Sequence, residues 1–420
     1  MRILAALLLV AIAARAEESR PADLILKKGQ RVAVVGDSIT EQKLYSRYIE
    51  LYLTACLPEL ELHVVQLGWG GETAPGFAGR MNNDLLPWKP DVVTTCYGMN
   101  DGGYGPFKEE IGKRYHAAMA DIVARLKKSG AVVVVGSPGA VDSKYFRNGG
   151  EPARVYNETL GRLRDIAREL ATKEGLPFAD VIAPMLSAME KGKAALGETY
   201  DVGGKDGVHP GPNGHLVMAF AFLKAMGLDG QIGTITVDMK SAATASGGHK
   251  VVSSEPGKVD LESVRWPFCF SGDEKSSGGT RSILPFTTFN QDLNRLTLVV
   301  KNLDVEKAKV TWGGASKVFA REALEKGVNL AAEFIENPFS EGFRKLEGIV
   351  AKKQAFETVM IKQTINSFPR LVDATGKDKG IEESVDGLRK KLFEVHERMG
   401  SEARAAVTPV KHAIVVAAEK

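Results

Sequence analysis

The feature that most constrains this chain is a series of short apolar runs through residues 31–182, most of them stopped abruptly by glycine. Arg31–Val35 ends at Gly36, Leu62–Leu67 at Gly68, Asp91–Tyr97 at Gly98 and Ala131–Val135 at Gly136, with Phe178–Ile182 as a weaker fifth. Val-rich runs of this length suit strands buried on both faces, as in a parallel sheet. Between them, Ile111–Lys128 and Arg154–Glu174 carry apolar residues at helical spacing, and Gly214–Met226 reads as a further helix. Alternating strands and helices imply an α/β fold whose parallel sheet is covered on both faces.

Ligands of open α/β sheets bind beyond the carboxyl ends of the strands, so the residues that follow each run are the informative ones. The first run leads into Gly36-Asp37-Ser38-Ile39-Thr40, the second into Gly68-Trp69-Gly70-Gly71-Glu72-Thr73, and the third into Gly98-Met99-Asn100-Asp101. Asp206-Gly207-Val208-His209-Pro210 precedes the last helix of this region. Ser38 stands at a strand-to-helix turn, where unpaired N–H groups favour developing negative charge. A serine hydroxyl needs a base to become a nucleophile; His209 is the candidate, with Asp206 three residues earlier to orient its imidazole. A tetrahedral intermediate needs donors for its oxyanion, and Gly71 can supply a backbone N–H and Asn100 its side-chain amide. Taken singly, a Gly-Asp-Ser turn, a Gly-x-Asn-Asp turn or an Asp-x-x-His pair is an ordinary loop feature; their joint occurrence in order, at strand ends, is specific.

These four blocks resemble the signature blocks of the SGNH (GDSL-like) hydrolase family, over about residues 31–225. The resemblance implies a flavodoxin-like three-layer α/β/α sandwich with a parallel five-stranded sheet. It also implies ester hydrolysis, often of acyl or acetyl groups on carbohydrates or lipids, with no metal or organic cofactor. By that resemblance Ser38 is the nucleophile and an oxyanion donor, Gly71 and Asn100 are the other donors, and Asp206 and His209 complete the triad. The second block departs from the family, with Gln66 where Asn is frequent and Gly70 where Ser is common. That leaves Gly68, Gly70 and Gly71 as alternatives, with Gly71, directly before Glu72-Thr73, preferred.

Other residues read more plainly. Asp37 and Asp101 are expected to bond turns and caps, and His215 to cap a helix or lie on the surface. Trp69 and Tyr104 flank the oxyanion loops, where they either stack on a sugar or pack locally. Trp266-Pro267-Phe268 reads as core, and the Asn157-Glu158-Thr159 acceptor pattern is discounted because it falls in a helix. Cys56, Cys96 and Cys269 match no disulfide or metal framework and read as core residues, with a bridge to Cys269 left open.

The remaining chain changes character near Gly230. Short alternating runs such as Thr234–Val237, Val259–Val264 and Leu296–Val300 imply a smaller β-rich module over 231–320. C-terminal helices follow over 321–420, including Ala323–Lys326, Phe343–Thr364 and Glu382–Met399, while His412–Ala418 is either a docked strand or a frayed tail. The start, MRILAALLLVAIAARA, has the n-region, short apolar core and Ala-x-Ala site of a signal peptide. Cleavage is expected after Ala16, which leaves 17–230 as the catalytic domain of a secreted or periplasmic protein with no membrane span. With a net charge of only +3 and scattered cations, nothing calls for a nucleic-acid partner. The expected substrate is a small-molecule or polysaccharide ester. The alternative is a glycan-binding protein without catalysis on the same fold, for which an intact set of Ser, Gly, Asn, Asp and His would be superfluous.

Overall fold

The structure, a computed structural model, describes residues 23–419. The expected signal segment 1–16 and its cleavage point lie outside the described residues. Five parallel strands, β1 (Arg31–Gly36), β2 (His63–Gly68), β3 (Val92–Cys96), β4 (Val132–Gly136) and β5 (Phe178–Ala179), form a sheet of order β2-β1-β3-β4-β5. Strand β1 shows why both faces are covered: Val32 and Val34 enter one buried cluster, Ala33 and Val35 another. In register, Gly36 lies opposite both Gly68 and Cys96, and Cys96 opposite Gly136. Four strands therefore finish level, and the loops after them share one rim.

The helices are α1 (Ser38–Glu41), α2 (Tyr45–Leu51), α3 (Ala74–Asp84), α4 (Glu109–Lys128), α5 (Glu151–Glu174), α6 (Ile182–Leu196) and α7 (Pro212–Ala225). The fifth strand is shorter than expected, because Ile182 begins α6 rather than ending β5. Asn157 lies within α5 and its amide bonds both backbone groups of Val141, so the acceptor pattern is held in a helix.

Beyond Gly230 the chain builds two further sheets from β6 (Gln231–Asp238), β7 (Thr244–Ala245), β8 (His249–Glu255), β9 (Lys258–Ser263), β10 (Arg295–Lys301), β11 (Lys307–Trp312), β12 (Ala315–Ala320), β13 (Val328–Asn329) and β14 (Val410–Ala418). Their orders are β13-β10-β6-β7 and β12-β11-β14-β9-β8. The C-terminal run is thus a docked strand, paired on both sides near the middle of its sheet. Trp266 and Phe268 are buried, and all three cysteines are buried and free, so Cys269 makes no bridge.

The C-terminal helices pack on the α/β region. Strand β2 is an edge, with backbone groups that need partners. Helix Ser340–Glu357 supplies them: Lys353 Nζ donates to Val64 O at 2.7 Å, and Glu357 Oε2 accepts from Gln66 N at 2.9 Å. Lys353 also pairs with Glu50 (2.8 Å) and Glu357 (2.6 Å), and His396 from helix Lys379–Ala405 bonds Glu357 at 2.8 Å. All four side chains are buried, so the edge is closed by a desolvated charge cluster. Met360, Ile361 and Ile365 join the apolar cluster beneath α3 and α4.

Candidate active site

The ends of β1, β2 and β3 each deliver one part of the site, and the loop between α6 and α7 delivers the rest. After β1, Asp37 caps α1 by accepting from Ile39 N at 2.9 Å, which fixes the turn that presents Ser38. Helix α1 is a single turn, so its dipole adds little beyond the orientation of its first amides. Close packing of α1 against the end of β2 depends on Gly68, where a Cβ would lie 2.1 Å from Glu41 N.

His209 stands across from Ser38. Its Nε2 is 2.8 Å from Ser38 Oγ, and its Nδ1 is 2.6 Å from Asp206 Oδ2. The network assigns the tautomer: Nδ1–H donates to the carboxylate and Nε2 accepts from the hydroxyl. The other carboxylate oxygen accepts from Val208 N (2.9 Å) and His209 N (2.8 Å). Partial burial pushes the Asp206 pKa upward, but these amides and the imidazole outweigh it and hold the carboxyl below its usual value. The loop is anchored from beneath by Asp142, which accepts from Val202 N and Gly203 N and pairs with buried Lys193 at 2.9 Å. Ser277, from the segment between β9 and β10, donates to Asp201 at 2.6 Å.

The loop after β2 carries Gly71 at φ +71°, with open space where a Cβ would stand. The amides on either side are engaged, Gly70 N with Glu41 Oε2 (2.5 Å) and Glu72 N with Trp69 O (3.1 Å). Gly71 is exposed and its N–H has no partner among the described hydrogen bonds. The Glu72 side chain is clamped by Arg80 (2.6 and 2.8 Å) and by the Tyr97 hydroxyl (2.9 Å). After β3, Asn100 Nδ2 donates to Glu72 O at 2.9 Å and Asn100 Oδ1 accepts from Tyr104 OH at 2.7 Å. The amide is thereby oriented, with its second N–H left for another acceptor. Asp101 beside it bonds the Ala74 and Gly98 amides at 3.0 Å each. Burial raises Asp37 to about 7 and Asp101 to about 6, with neighbouring carboxylates adding to the rise at Asp37.

The structure brings Ser38, Asp206 and His209 into one hydrogen-bonded chain, and holds Asn100 against the loop that carries Gly71. Trp69 is half-buried with the cations of Arg80 and Lys362 over its ring at 4.8 and 5.0 Å. The half-buried Tyr104 stacks on Phe146 and Tyr156. Both flanking aromatics therefore have local packing partners. His215 corrects an expectation: it is fully buried in α7 rather than a cap or surface residue. Its Nδ1 accepts from Tyr45 N at 3.2 Å and its Nε2–H donates to Gln42 Oε1 at 3.0 Å, and burial pushes its pKa down to about 3. Sequence reasoning also missed Glu41, Glu72, Arg80 and Asp142. Of these, only Arg80 carried a local signal, through its i,i+4 spacing from Asp84. Among the described residues, no group of three or more His, Cys, Asp or Glu side chains is arranged to hold a metal ion.

A five-stranded parallel sheet that carries a serine, a histidine and an aspartate in one hydrogen-bonded chain along its rim defines the architecture as α/β. Residues 34–217 match the model of the GDSL-like lipase/acylhydrolase family. It is similar to an acetylxylan esterase of Geobacillus stearothermophilus, 26% identical over 223 residues, which span 48% of this chain and 95% of that protein. A solved structure of a gut microbial diltiazem-metabolizing enzyme superposes with a TM-score of 0.72 at 22% identity, covering 94% of this chain and all of the other. That likeness, which concerns the fold alone, extends through the regions beyond Gly230. A solved acetylxylan esterase from Geobacillus stearothermophilus covers 48% of this chain and 96% of its own at 24% identity, with a TM-score of 0.40. Among the described residues, no helix is long and apolar enough to cross a membrane.

Proposed function

We propose that this chain is an exported serine esterase that removes O-acyl groups, O-acetyl foremost, from carbohydrates. The observation that carries the reading is the unbroken chain from Ser38 Oγ through His209 to Asp206, at 2.8 and 2.6 Å. Ser38 Oγ attacks the acyl carbon while His209 Nε2 takes the hydroxyl proton, and Asp206 stabilises the imidazolium. The carbonyl oxygen becomes an oxyanion that receives N–H groups from Ser38, Gly71 and Asn100. The intermediate collapses, the ester C–O bond breaks, and His209 returns its proton to the leaving alkoxide. Water then enters, His209 takes one of its protons, hydroxide attacks the acyl carbon, and the carboxylic acid leaves as Ser38 Oγ regains a proton.

The carbohydrate substrate class rests on similarity to the acetylxylan esterase and on the exposure of the rim. The His209 and Asp206 side chains are 35% and 56% exposed, which leaves the site accessible to a bulky glycan. Export rests on the signal-like segment 1–16. The test is acetate release from acetylated xylo-oligosaccharides and from p-nitrophenyl acetate by the wild type and by Ser38→Ala. Release from both by wild type alone is expected. A folded wild type no faster than Ser38→Ala on either substrate would leave glycan binding without catalysis as the reading.

A further inference from the structure

We propose that Lys362, in the C-terminal region, is a positioning residue for the loop that carries Gly71, acting through Glu41 and Trp69. The inference rests on the reading of Gly71 as an oxyanion donor. Gly71 has positive φ and open space about it, so its own packing does not fix where its N–H points. Direction must come from the residues on either side.

On the Glu72 side, Arg80, Tyr97 and Asn100 supply it. On the Gly70 side the holder is Glu41, whose Oε2 accepts from Gly70 N at 2.5 Å. Glu41 is bonded in turn by Lys362, Nζ to Oε1 at 2.6 Å. Lys43 donates to the Glu41 carbonyl and so does not compete for the carboxylate. The same Lys362 cation lies 5.0 Å from the centre of the Trp69 ring, at the start of the loop. One ammonium therefore restrains both Trp69 and Gly70. It also neutralises the carboxylate that holds Gly70, the residue next to Gly71.

The reach of Lys362 is set by its backbone. Residues Thr358–Thr364 form a π-helical turn that interrupts the long helix from Ser340. Such turns are rare and concentrate at functional sites. The 3-10 turn that follows this one, Ile365–Ser367, is pinned to α3: Asn366 Nδ2 donates to Asp84 Oδ2 and Asn83 Nδ2 to Ile365 O, both at 2.9 Å. Met360, Ile361 and Ile365, in these two turns, are buried. The pair itself is only part covered, with side chains 30% and 24% exposed, so its loss should loosen the loop without unfolding the protein.

The test is steady-state hydrolysis of p-nitrophenyl acetate by the full chain and its Lys362→Met, Lys362→Arg, Glu41→Gln, Lys362→Met/Glu41→Gln and Ser38→Ala variants. Lys362→Met should lower kcat about tenfold, with KM within about twofold and an unchanged thermal midpoint. Lys362→Arg should recover most of the loss. Added to Glu41→Gln, Lys362→Met should lower kcat by no more than about threefold, because only its contact with Trp69 is then left to lose. A Lys362→Met enzyme with wild-type kcat, or an equal loss when Glu41→Gln is already present, overturns the proposal. The Ser38→Ala control separates the two claims. If it is inactive while Lys362→Met is unaffected, only this inference fails; if it is fully active, the reading of the site fails.

Discussion

Replacing Asn100 by Ala separates an oxyanion donor from a loop brace, because the structure gives the two roles different magnitudes. As a brace, the side chain makes two neutral hydrogen bonds, to Glu72 O and from Tyr104 OH. Each such bond contributes about 1 kcal/mol net, and half-buried Tyr104 can turn to water, so stability should fall by only ~1–2 kcal/mol. As a donor, its free N–H meets an oxyanion that exists only in the transition state, and its loss should cost ~3 kcal/mol of barrier, roughly 10²–10³-fold in kcat. KM should change little, since the ground-state carbonyl binds this donor weakly. Tyr104→Phe keeps the amide but frees its carbonyl end, and should lower kcat by only about threefold to tenfold through misorientation. The assay is p-nitrophenyl acetate hydrolysis under saturating substrate, with urea unfolding of each variant alongside. A folded Asn100→Ala enzyme with kcat within about threefold of wild type would refute the donor role, whatever its stability.

Lys353→Met should be severe for stability, since it leaves the buried carboxylates of Glu50 and Glu357 without their cation; a loss of ~3–5 kcal/mol in urea unfolding is expected. His215 predicts a pH dependence. Its folded pKa of about 3 lies below the ordinary value, so the unfolded chain binds the extra proton between the two. The associated stability is complete above about pH 6.5 and is lost as pH falls towards 3, about 2 kcal/mol of it by pH 5. His215→Gln should reduce the stability difference between pH 7 and pH 5 by that amount, and an unchanged difference would contradict it.

The parallel sheet was legible because burial on both faces writes itself as uninterrupted Val-rich runs, and the rim because each run stops at a small residue that lets the chain turn. The same logic overran at β5: two residues suffice to pair an edge with β4, and the apolar Val181 and Ile182 belong to the start of α6. Helix α3 escaped notice because Pro75, Gly76 and Gly79 depress its propensity, while Phe77 and Met81 hold it by burial. Ser38, Asp206, His209, Gly71 and Asn100 stand out in the sequence because they sit in short blocks. Their supports do not. Lys353 and Glu357 show only an i,i+4 pair in sequence, and their task of closing the β2 edge depends on residues nearly 300 positions away. His215 looked like a cap because its partners, Tyr45 N and Gln42, lie on the far side of the domain in sequence and against it in space.

In the proposed mechanism the ester's acyl group passes through one hydroxyl, that of Ser38. The direct measurement is to quench the enzyme at low pH during turnover of p-nitrophenyl acetate and map the acetyl group by peptide mass spectrometry. Acetyl on the peptide that contains Ser38, and none there in Ser38→Ala, is the predicted result. Acetyl found on another residue, with turnover surviving Ser38→Ala, would contradict it.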